Sequence, residues 1–410
     1  MRIPVMLMCI LCMCAFMNAE WEPIGPFGGY LWSVVSSPSD GNVVWVMSYS
    51  SPARIAQSTD GGASWSTIGS VTMGYCQDMA IDPSNANNLY AAGGNYAHRS
   101  TDGGVNWAYT YVTNSYFYSL AVHPTASGTV YGAGMKYDNA LWDMAVHKST
   151  NGGEDWTTSI LYDGTGHSYA RDVAVSASNP DIVYACGYGY ETSTVPLLFK
   201  STDGGSTFDD ISSNSPTGVY FYTIGVHPTN PDIVYLGASS GIYRSTDGGT
   251  NWTYEYNATS NYNIMTNPAD PDLVLSGAYY SIYKSTDAGD TWVNAGSGLE
   301  GYSWRGIAFN AFNTSEVYAG NRVGFFKTTD CGTSWFEYNN NLNLSSICSF
   351  ATGSATPMLY TSCEEVGVFR TTNNGDDWVK LPTPLTCGNI GAFAVNPDNP
   401  NMVLGLEGAG

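Results

Sequence analysis

Hydrophobic and polar residues alternate along short stretches of this chain, and turn-forming residues interrupt the alternation at regular points. The stretch YFYTIGV, from Tyr220, alternates and ends at His227-Pro228, where PTNP forms a turn. DIVYLGAS, GIYRST and NWTYEY follow, the last two separated by DGGT. Alternation with a period of two, bounded by Gly, Pro, Asn and Asp, predicts β-strands joined by hairpins. This unit therefore predicts four consecutive antiparallel strands.

The same unit recurs along nearly the whole chain. Its most regular part is a nine-residue phrase such as RSTDGGTNW, here called the box, whose Ser or Thr recurs at intervals of 40 to 52 residues at Ser58, Ser100, Ser149, Ser201, Ser245, Ser285, Thr328 and Thr371. Four short strands at this interval are typical of propeller blades, whereas arrays of β-sandwiches need about 100 residues per unit. We therefore predict an all-β fold, a multi-bladed β-propeller of four-stranded antiparallel blades, with eight boxes plus a partial closing blade.

The residue types of the box suit a tight hairpin turn. Its Asp or Asn can accept hydrogen bonds from the amides of the turn, its glycines tolerate positive φ, and its Trp offers a large apolar face. The pattern S-x-D-x-G-x-x-W, complete at Ser58, Asp60, Gly62 and Trp65, resembles the Asp-box or BNR repeat of sialidases, sortilin-type receptors, family 74 xyloglucan hydrolases and a photosystem II assembly factor. The resemblance implies a propeller but no one activity, because such propellers serve unrelated functions. The box is interpreted as a structural element.

The two ends of the chain bear on its organisation. Residues 1–19 combine one positive charge, an apolar stretch over 3–17 and a small residue at Ala19, which predicts a secretory signal peptide followed by a propeller over 20–410. WEPIG, from Trp21, is similar to a fourth strand, and the C-terminal stretch is similar to a first and a second strand. Because propellers often complete one blade from both ends, we expect one large ring and a chain cut short at its C-terminus. The resemblance itself implies ten blades for sortilin-like proteins and two seven-bladed rings for family 74 hydrolases.

Composition narrows the classes of partner and the compartment. The chain has 35 Asp and Glu against 14 Lys and Arg, a net charge of -21. Such a surface repels phosphate backbones, so we expect neither nucleic acid binding nor stable membrane insertion after removal of the signal peptide. A secreted, periplasmic or extracellular location permits one or two structural disulfides among Cys76, Cys186, Cys331, Cys348, Cys363 and Cys387. No spacing of cysteine and histidine suggests a metal site, and no cofactor is expected.

Candidate binding residues cluster at the start of the first strand of each predicted blade and in the loops beside it. The connections between blades and those between second and third strands share one face, here called the loop face, and they are rich in aromatic residues. First strands line the channel of a propeller, so their opening residues form a ring near its axis. The residues expected to bind a ligand there are Gln77, Asp78, Tyr118, Arg171, Asp172, Tyr222, Tyr262, Trp304 and Arg305. Aromatic rings with carboxylates and amides suit sugar rings and hydroxyls. In the alternative, the tyrosines fill strand faces, and Arg171 and Asp172 pair with each other or with neighbouring blades.

The sequence offers fewer candidates for catalytic groups than for binding residues. Glycoside hydrolysis generally needs two carboxylates about 5 to 9.5 Å apart, and Asp78 with Asp172 is the weak candidate pair. The resemblance to family 74 hydrolases implies a base at the end of the second strand of the first blade, where this chain has Ser48 and Ser50. The arginine motif that a sialidase would require is also missing from ARIA, at Ala53.

We therefore predict an exported, non-enzymatic propeller that binds a polysaccharide or a cell-surface or secreted protein on its loop face. The first alternative is a glycoside hydrolase acting on a polysaccharide, xyloglucanase-like or sialidase-like. The second is a sortilin-like peptide receptor. Raised pKa values at a clustered Asp78 and Asp172 would favour the hydrolase, whereas an aromatic platform without such a pair would favour binding.

Overall fold

A computed structural model describes residues 29–340 except 73 and 192, together with 347–352, 358–363, 367–372, 378–381, 390–396 and 399–407. The predicted signal peptide and the WEPIG segment lie outside these residues. Within them, the elements are strands and one 3-10 turn, Ser212–Asn214, with no α-helix. No helix in the described ranges is long and apolar enough to cross a membrane.

Each of the first four blades is a four-stranded antiparallel sheet whose strands are adjacent in chain order. Their strands are β1 (Leu31–Ser36), β2 (Val44–Ser48), β3 (Ala53–Ser58), β4 (Ser66–Val71), β5 (Asp78–Asp82), β6 (Asn85–Gly93), β7 (Tyr96–Ser100), β8 (Ala108–Tyr111), β9 (Ser115–Val122), β10 (Val130–Asp138), β11 (Leu141–Ser149), β12 (Thr157–Tyr162), β13 (Ser168–Val175), β14 (Val183–Tyr190), β15 (Thr194–Ser201) and β16 (Asp209–Asp210).

The next four blades repeat this order, and a two-stranded hairpin follows them. Their strands are β17 (Phe221–Val226), β18 (Val234–Ala238), β19 (Ile242–Ser245), β20 (Thr253–Tyr256), β21 (Asn261–Asn267), β22 (Asp270–Ala278), β23 (Ile282–Ser285), β24 (Val293–Asn294), β25 (Gly306–Phe309), β26 (Val317–Gly320), β27 (Phe325–Thr328), β28 (Phe336–Glu337), β29 (Ile347–Thr352), β30 (Leu359–Cys363), β31 (Gly367–Thr371) and β32 (Val379–Lys380), then β33 (Ile390–Asn396) and β34 (Asn399–Glu407). The predicted all-β propeller of four-stranded blades is confirmed.

The seventh blade packs directly against the first, so that seven blades close a ring. The amide of Leu31 donates to the carbonyl of Asn321 at 2.7 Å, and Leu31 and Val34 share a core cluster with Tyr318 of the seventh blade. A Cβ at Gly306 would lie 2.8 Å from Val34, so glycine is needed for this close approach. The expectation of one large ring is therefore wrong. The eighth box belongs to a blade outside the ring, because only tertiary packing, and not the number of boxes, decides which blade meets the first.

The boxes act as turn locks, as their residue types predict. In the fifth blade, the Ser245 hydroxyl donates to Asp247 at 2.8 Å and accepts from the Gly249 amide at 2.9 Å. The Asp247 carboxylate accepts from the Asn251 amide at 2.8 Å, and the indole of Trp252 donates to the Gly249 carbonyl at 3.1 Å. The side-chain amide of Asn251 also donates to Asp247, at 2.7 Å, and this bond, with those from the Asn251 backbone amide and the Ser245 hydroxyl, lowers the pKa of Asp247 to about 2. The polar groups of the box therefore form hydrogen bonds within its own hairpin.

The cysteines of the ring do not form disulfides. Cys76, Cys186 and Cys331 are free thiols, and the first two are buried in the cores between blades. The side chains of Cys348, Cys363 and Cys387 lie outside the described part, so the predicted disulfides remain a prediction for those three. In the ring, apolar packing and hydrogen bonds between blades take the place of covalent links.

Candidate functional site

The seven first strands of the ring surround an axial channel with a cavity volume of about 390 Å³. Eight of the nine predicted site residues lie in its wall, at Gln77, Asp78, Tyr118, Arg171, Asp172, Tyr222, Tyr262 and Arg305. Sequence reasoning could place them because they stand at two successive positions a fixed distance before the turn that ends each first strand. Their role as ligand-binding residues remains a prediction.

Asp172 joins three neighbouring blades. Its Oδ1 accepts from the hydroxyl of Ser119 at 2.6 Å and from the amide of Val173 at 2.9 Å. Its Oδ2 accepts from the hydroxyl of Thr223 at 2.8 Å and from the amide of Ile224 at 2.9 Å. Burial raises the pKa of Asp172, although these hydrogen bonds oppose the rise. Both oxygens are thus occupied by donors from the third, fourth and fifth blades.

Asp78 has the same role two blades earlier. Its Oδ1 accepts from the Ser33 hydroxyl at 3.1 Å and from the Met79 amide at 2.8 Å, and its Oδ2 accepts from the Leu120 amide at 2.9 Å. Burial raises the pKa of Asp78 to about 6, and the charge of Asp172 adds to the rise. The raised pKa values meet one condition set for a hydrolase. The hydrogen bonds nevertheless favour a structural role, because they leave little of either carboxylate for a sugar.

These contacts belong to a hydrogen-bonded belt that runs through all seven blades, here called the inter-blade belt. From the first blade round to the first again, its links are Ser33 to Asp78, Leu120 to Asp78, Ser119 to Asp172, Thr223 to Asp172, Ile264 to Thr223, Asn263 to the carbonyl of Arg305, and Ser36 to the carbonyl of Phe309. The belt adds polar links to the apolar cores between blades and holds the channel wall in one arrangement.

The raised pKa of Asp78 gives a testable pH dependence. A carboxyl whose folded-state pKa of about 6 exceeds its unfolded value of about 4 stabilises the fold below pH 4, and this contribution is lost as the pH rises through 6. Between pH 4.5 and pH 7 the loss amounts to about 2 kcal/mol. We expect Asp78→Asn to remove this change, measured by urea unfolding at both pH values. An equal pH response in wild type and variant would show that Asp78 does not titrate in this way.

Aromatic side chains surround the loop-face mouth of the channel. Neighbouring rings lie 4.1 to 6.4 Å apart between centroids, and we call this set the aromatic collar: Trp32, Tyr49, Tyr116, Tyr118, Tyr169, Tyr188, Tyr222, Tyr262, Tyr279 and Tyr302. Beside it, Tyr280 is 71% exposed and Tyr190 45% exposed. The collar rings themselves are half-buried, and the exposed part of such rings can stack on the apolar faces of sugars. The collar is therefore the best candidate surface for a glycan.

Three arginines are inserted into the collar. The guanidinium of Arg305 lies between the rings of Trp32 and Tyr262, 4.3 and 3.9 Å from their centroids. Arg171 lies 4.4 Å from the Tyr118 ring, and Arg322 stacks on Tyr30 and Tyr302. Such cation–π contacts fix the position of a guanidinium and desolvate its faces. Arg171 and Asp172 form no ion pair with each other, since Asp172 is held by the belt and Arg171 by Tyr118.

The prediction for Trp304 has to be corrected. Its indole is fully buried and packs edge-on against Phe326 at 5.2 Å, in the core of the sixth and seventh blades. A side chain without exposed surface cannot stack on a ligand, so Trp304 leaves the candidate site. Trp32, which Arg305 contacts, takes its place. Its position among the opening residues of the first strands is the sequence signal that points to it.

The position implied for a family 74 base is occupied by hydroxyls. Ser48 ends β2, and its Oγ lies 2.7 Å from the Oγ of Ser50. The two serine hydroxyls thus form a hydrogen bond with each other, and Ser50 also donates to the Pro52 carbonyl in the following loop at 2.8 Å. No carboxylate thus stands at this point of the first blade.

Parts of the chain are similar in sequence to two curated xyloglucanases, although no protein-family model matches it. It is 31% identical over 139 residues to Xyloglucanase Xgh74A of Acetivibrio thermocellus and 25% identical over 245 residues to a xyloglucanase of Hypocrea jecorina. These stretches cover 26% and 50% of this chain. They cover 16% and 29% of the two enzymes, so the chain matches less than a third of the length of these relatives.

Solved structures of similar architecture show the fold. A GH74 xyloglucanase from Xanthomonas campestris superposes with a TM-score of 0.67 at 13% identity, over 92% of this chain and 71% of that one. An ancestral GH74 enzyme gives 0.60 at 18% identity, over 94% and 67%. YCF48 bound to a D1 peptide gives 0.52 at 14% identity, over 74% and 94%. The shared architecture is the multi-bladed propeller.

Proposed function

We propose that this chain is a glycoside hydrolase-like propeller that acts on a polysaccharide outside the cell, with the aromatic collar as its sugar-binding surface. The observation that carries the proposal is the collar itself, an arc of rings around a channel mouth on the loop face. The sequence similarity to xyloglucanases makes a xyloglucan-type polysaccharide the first substrate to examine. It also favours the hydrolase alternative over the non-enzymatic propeller that the sequence first indicated.

The proposal gives Asp78 and Asp172 a structural role. A general acid and its partner must contact the glycosidic oxygen or the attacking water, which requires free oxygen atoms directed at the sugar. Asp172 accepts four hydrogen bonds and Asp78 accepts three, and these bonds link the blades instead. The collar would then supply substrate binding and orientation within such an enzyme.

A binding protein without hydrolytic activity is the second candidate. Ser48 and Ser50 favour it, because they occupy the position at which the resemblance to family 74 hydrolases implies a carboxylate. The two candidates share the collar and differ in whether sugar is released.

One experiment separates them. Residues 20–410 are mixed with insoluble xyloglucan-containing polysaccharide, and protein depletion and new reducing ends are both measured. We expect Tyr188→Ala with Tyr279→Ala to weaken binding about tenfold or more, because central aromatic anchors dominate recognition. Tyr109→Ala is the matched control, since this tyrosine is 51% exposed but lies on the outer strand of its blade.

Each outcome has one meaning. Depletion with release of reducing ends supports the hydrolase-like function, and depletion without release supports the binding protein. If the collar variant binds as well as the control, the collar is not the sugar-binding surface. If the wild-type chain binds no polysaccharide, both candidates are wrong.

A further inference from the structure

Two arginines at the channel mouth stand out in a chain of net charge -21. Arg171 and Arg305 both line the channel, from the fourth and the seventh blade. Ion pairs within the described part of the chain include Arg99 with Glu154, Arg244 with Asp290, Lys327 with Glu316 and Lys380 with Glu300, and none of these four involves either channel arginine. Burying two cations without a carboxylate partner costs free energy of desolvation, unless another interaction offsets that cost.

Their stacking leaves hydrogen-bonding edges for a ligand. The rings of Trp32 and Tyr262 cover the two faces of the Arg305 guanidinium, and its Nε donates to the Ser303 hydroxyl at 3.2 Å. The Nε of Arg171 is buried and has no hydrogen-bond partner among the described residues. Stacked rings cover only the faces of a guanidinium. Its in-plane N–H groups can therefore still donate hydrogen bonds to the oxygens of a planar anion.

The electrostatic setting also favours an anion at this point. Burial lowers the pKa of Arg305 to about 10, and the charge of Arg171 is the next largest cause. Both guanidinium groups line the same cavity, so one anion bound there would offset positive charge from both sides of the channel. The carboxylates of Asp78 and Asp172 lie in the same wall, but their oxygens accept from the inter-blade belt and do not reach either guanidinium.

We propose that Arg171 and Arg305 bind the carboxylate of an acidic sugar residue at the channel mouth, so that the substrate is a uronate-containing polysaccharide. The inference rests on the proposed function and names its substrate class. A carboxylate suits the site because its planar pair of oxygens matches the guanidinium edge, while the collar stacks on the attached sugar ring. The cavity of about 390 Å³ lies within the range of small-ligand sites, so its volume suits a sugar residue.

Matched ligands test the inference on the whole chain. Isothermal titration calorimetry of residues 20–410 compares trigalacturonate, its methyl ester, a sulfated neutral trisaccharide and a xyloglucan oligosaccharide. We expect trigalacturonate to bind at least about tenfold more tightly than its ester, since esterification removes a charge-assisted hydrogen bond. Arg171→Gln and Arg305→Gln should each abolish this preference. Arg99→Gln, which breaks an exposed ion pair with Glu154, should preserve it.

The comparison of acid with ester uses the wild-type protein, so it holds even if a variant fails to fold. Equal affinity for trigalacturonate and its ester would overturn the inference, and so would a sulfated sugar that binds as tightly as the carboxylate. Binding of xyloglucan without any preference for the acid would leave the proposed function intact and remove the inference alone. A chain that binds none of the four sugars would contradict both.

Discussion

Asp172→Ala is expected to lower the free energy of unfolding by about 3 to 4 kcal/mol. The substitution removes the acceptor of four hydrogen bonds, from the hydroxyls of Ser119 and Thr223 and the amides of Val173 and Ile224. The hydroxyls can rotate to other partners, but the two amides cannot, and each unsatisfied buried amide costs about 1 to 3 kcal/mol. Chemical denaturation of residues 20–410 measures the change.

Asp209→Ala is the control for this prediction. Asp209 lies on the outer strand of the same blade and is exposed, so its removal should change the free energy of unfolding by less than about 0.5 kcal/mol. If Asp172→Ala is as stable as the control but no longer releases sugar, Asp172 is catalytic and the structural role assigned to it is wrong.

The second large effect concerns the residue that the sequence placed in the binding site. Trp304→Ala is expected to lower the free energy of unfolding by about 3 to 5 kcal/mol, because it empties a fully buried indole site beside Phe326 and Ile307. The affinity of the remaining folded protein for polysaccharide should stay unchanged. Thermal unfolding gives the first quantity, and binding normalised to folded protein gives the second.

Trp304→Phe provides the matched comparison. It keeps most of the ring volume and removes an indole N–H that has no hydrogen-bond partner among the described residues, so it should cost less than the alanine variant. A Trp304→Ala protein of wild-type stability that no longer binds sugar would restore Trp304 to the site.

Local patterns predicted the blades and most of the channel wall. The box fixes one hairpin through side chains two to seven residues apart, as between Ser245, Asp247 and Trp252, so its spacing identifies strands three and four of every blade. The turn after each first strand, which contains a proline in the first six blades, marks the opening residues in the same way. Asp78, Arg171 and Tyr222 could be placed at the axis for that reason.

Contacts between the ends of the ring could not be predicted from local patterns. Arg305 stacks on Trp32 only because the seventh blade meets the first, a contact between residues far apart in the chain. The same closure excludes the eighth blade from the ring. Trp304 could not be placed for a different reason. Alternation along a strand does not say which of two successive side chains faces the channel and which faces the neighbouring blade. Here Arg305 faces the channel, and Trp304 packs in the core between blades.

Hydrogen exchange of the amides is the most direct test that the loop-face mouth binds the polysaccharide. The full chain is compared with and without a saturating xyloglucan or galacturonate oligosaccharide, and protection is mapped on peptides. Protection should concentrate on the openings of the first strands and on the hairpins that carry the aromatic collar, around Trp32, Tyr118, Tyr188, Tyr222 and Tyr279. Protection confined to the box turns, around Asp60, Asp102 or Asp247, would place the ligand on the opposite face and contradict the proposed site.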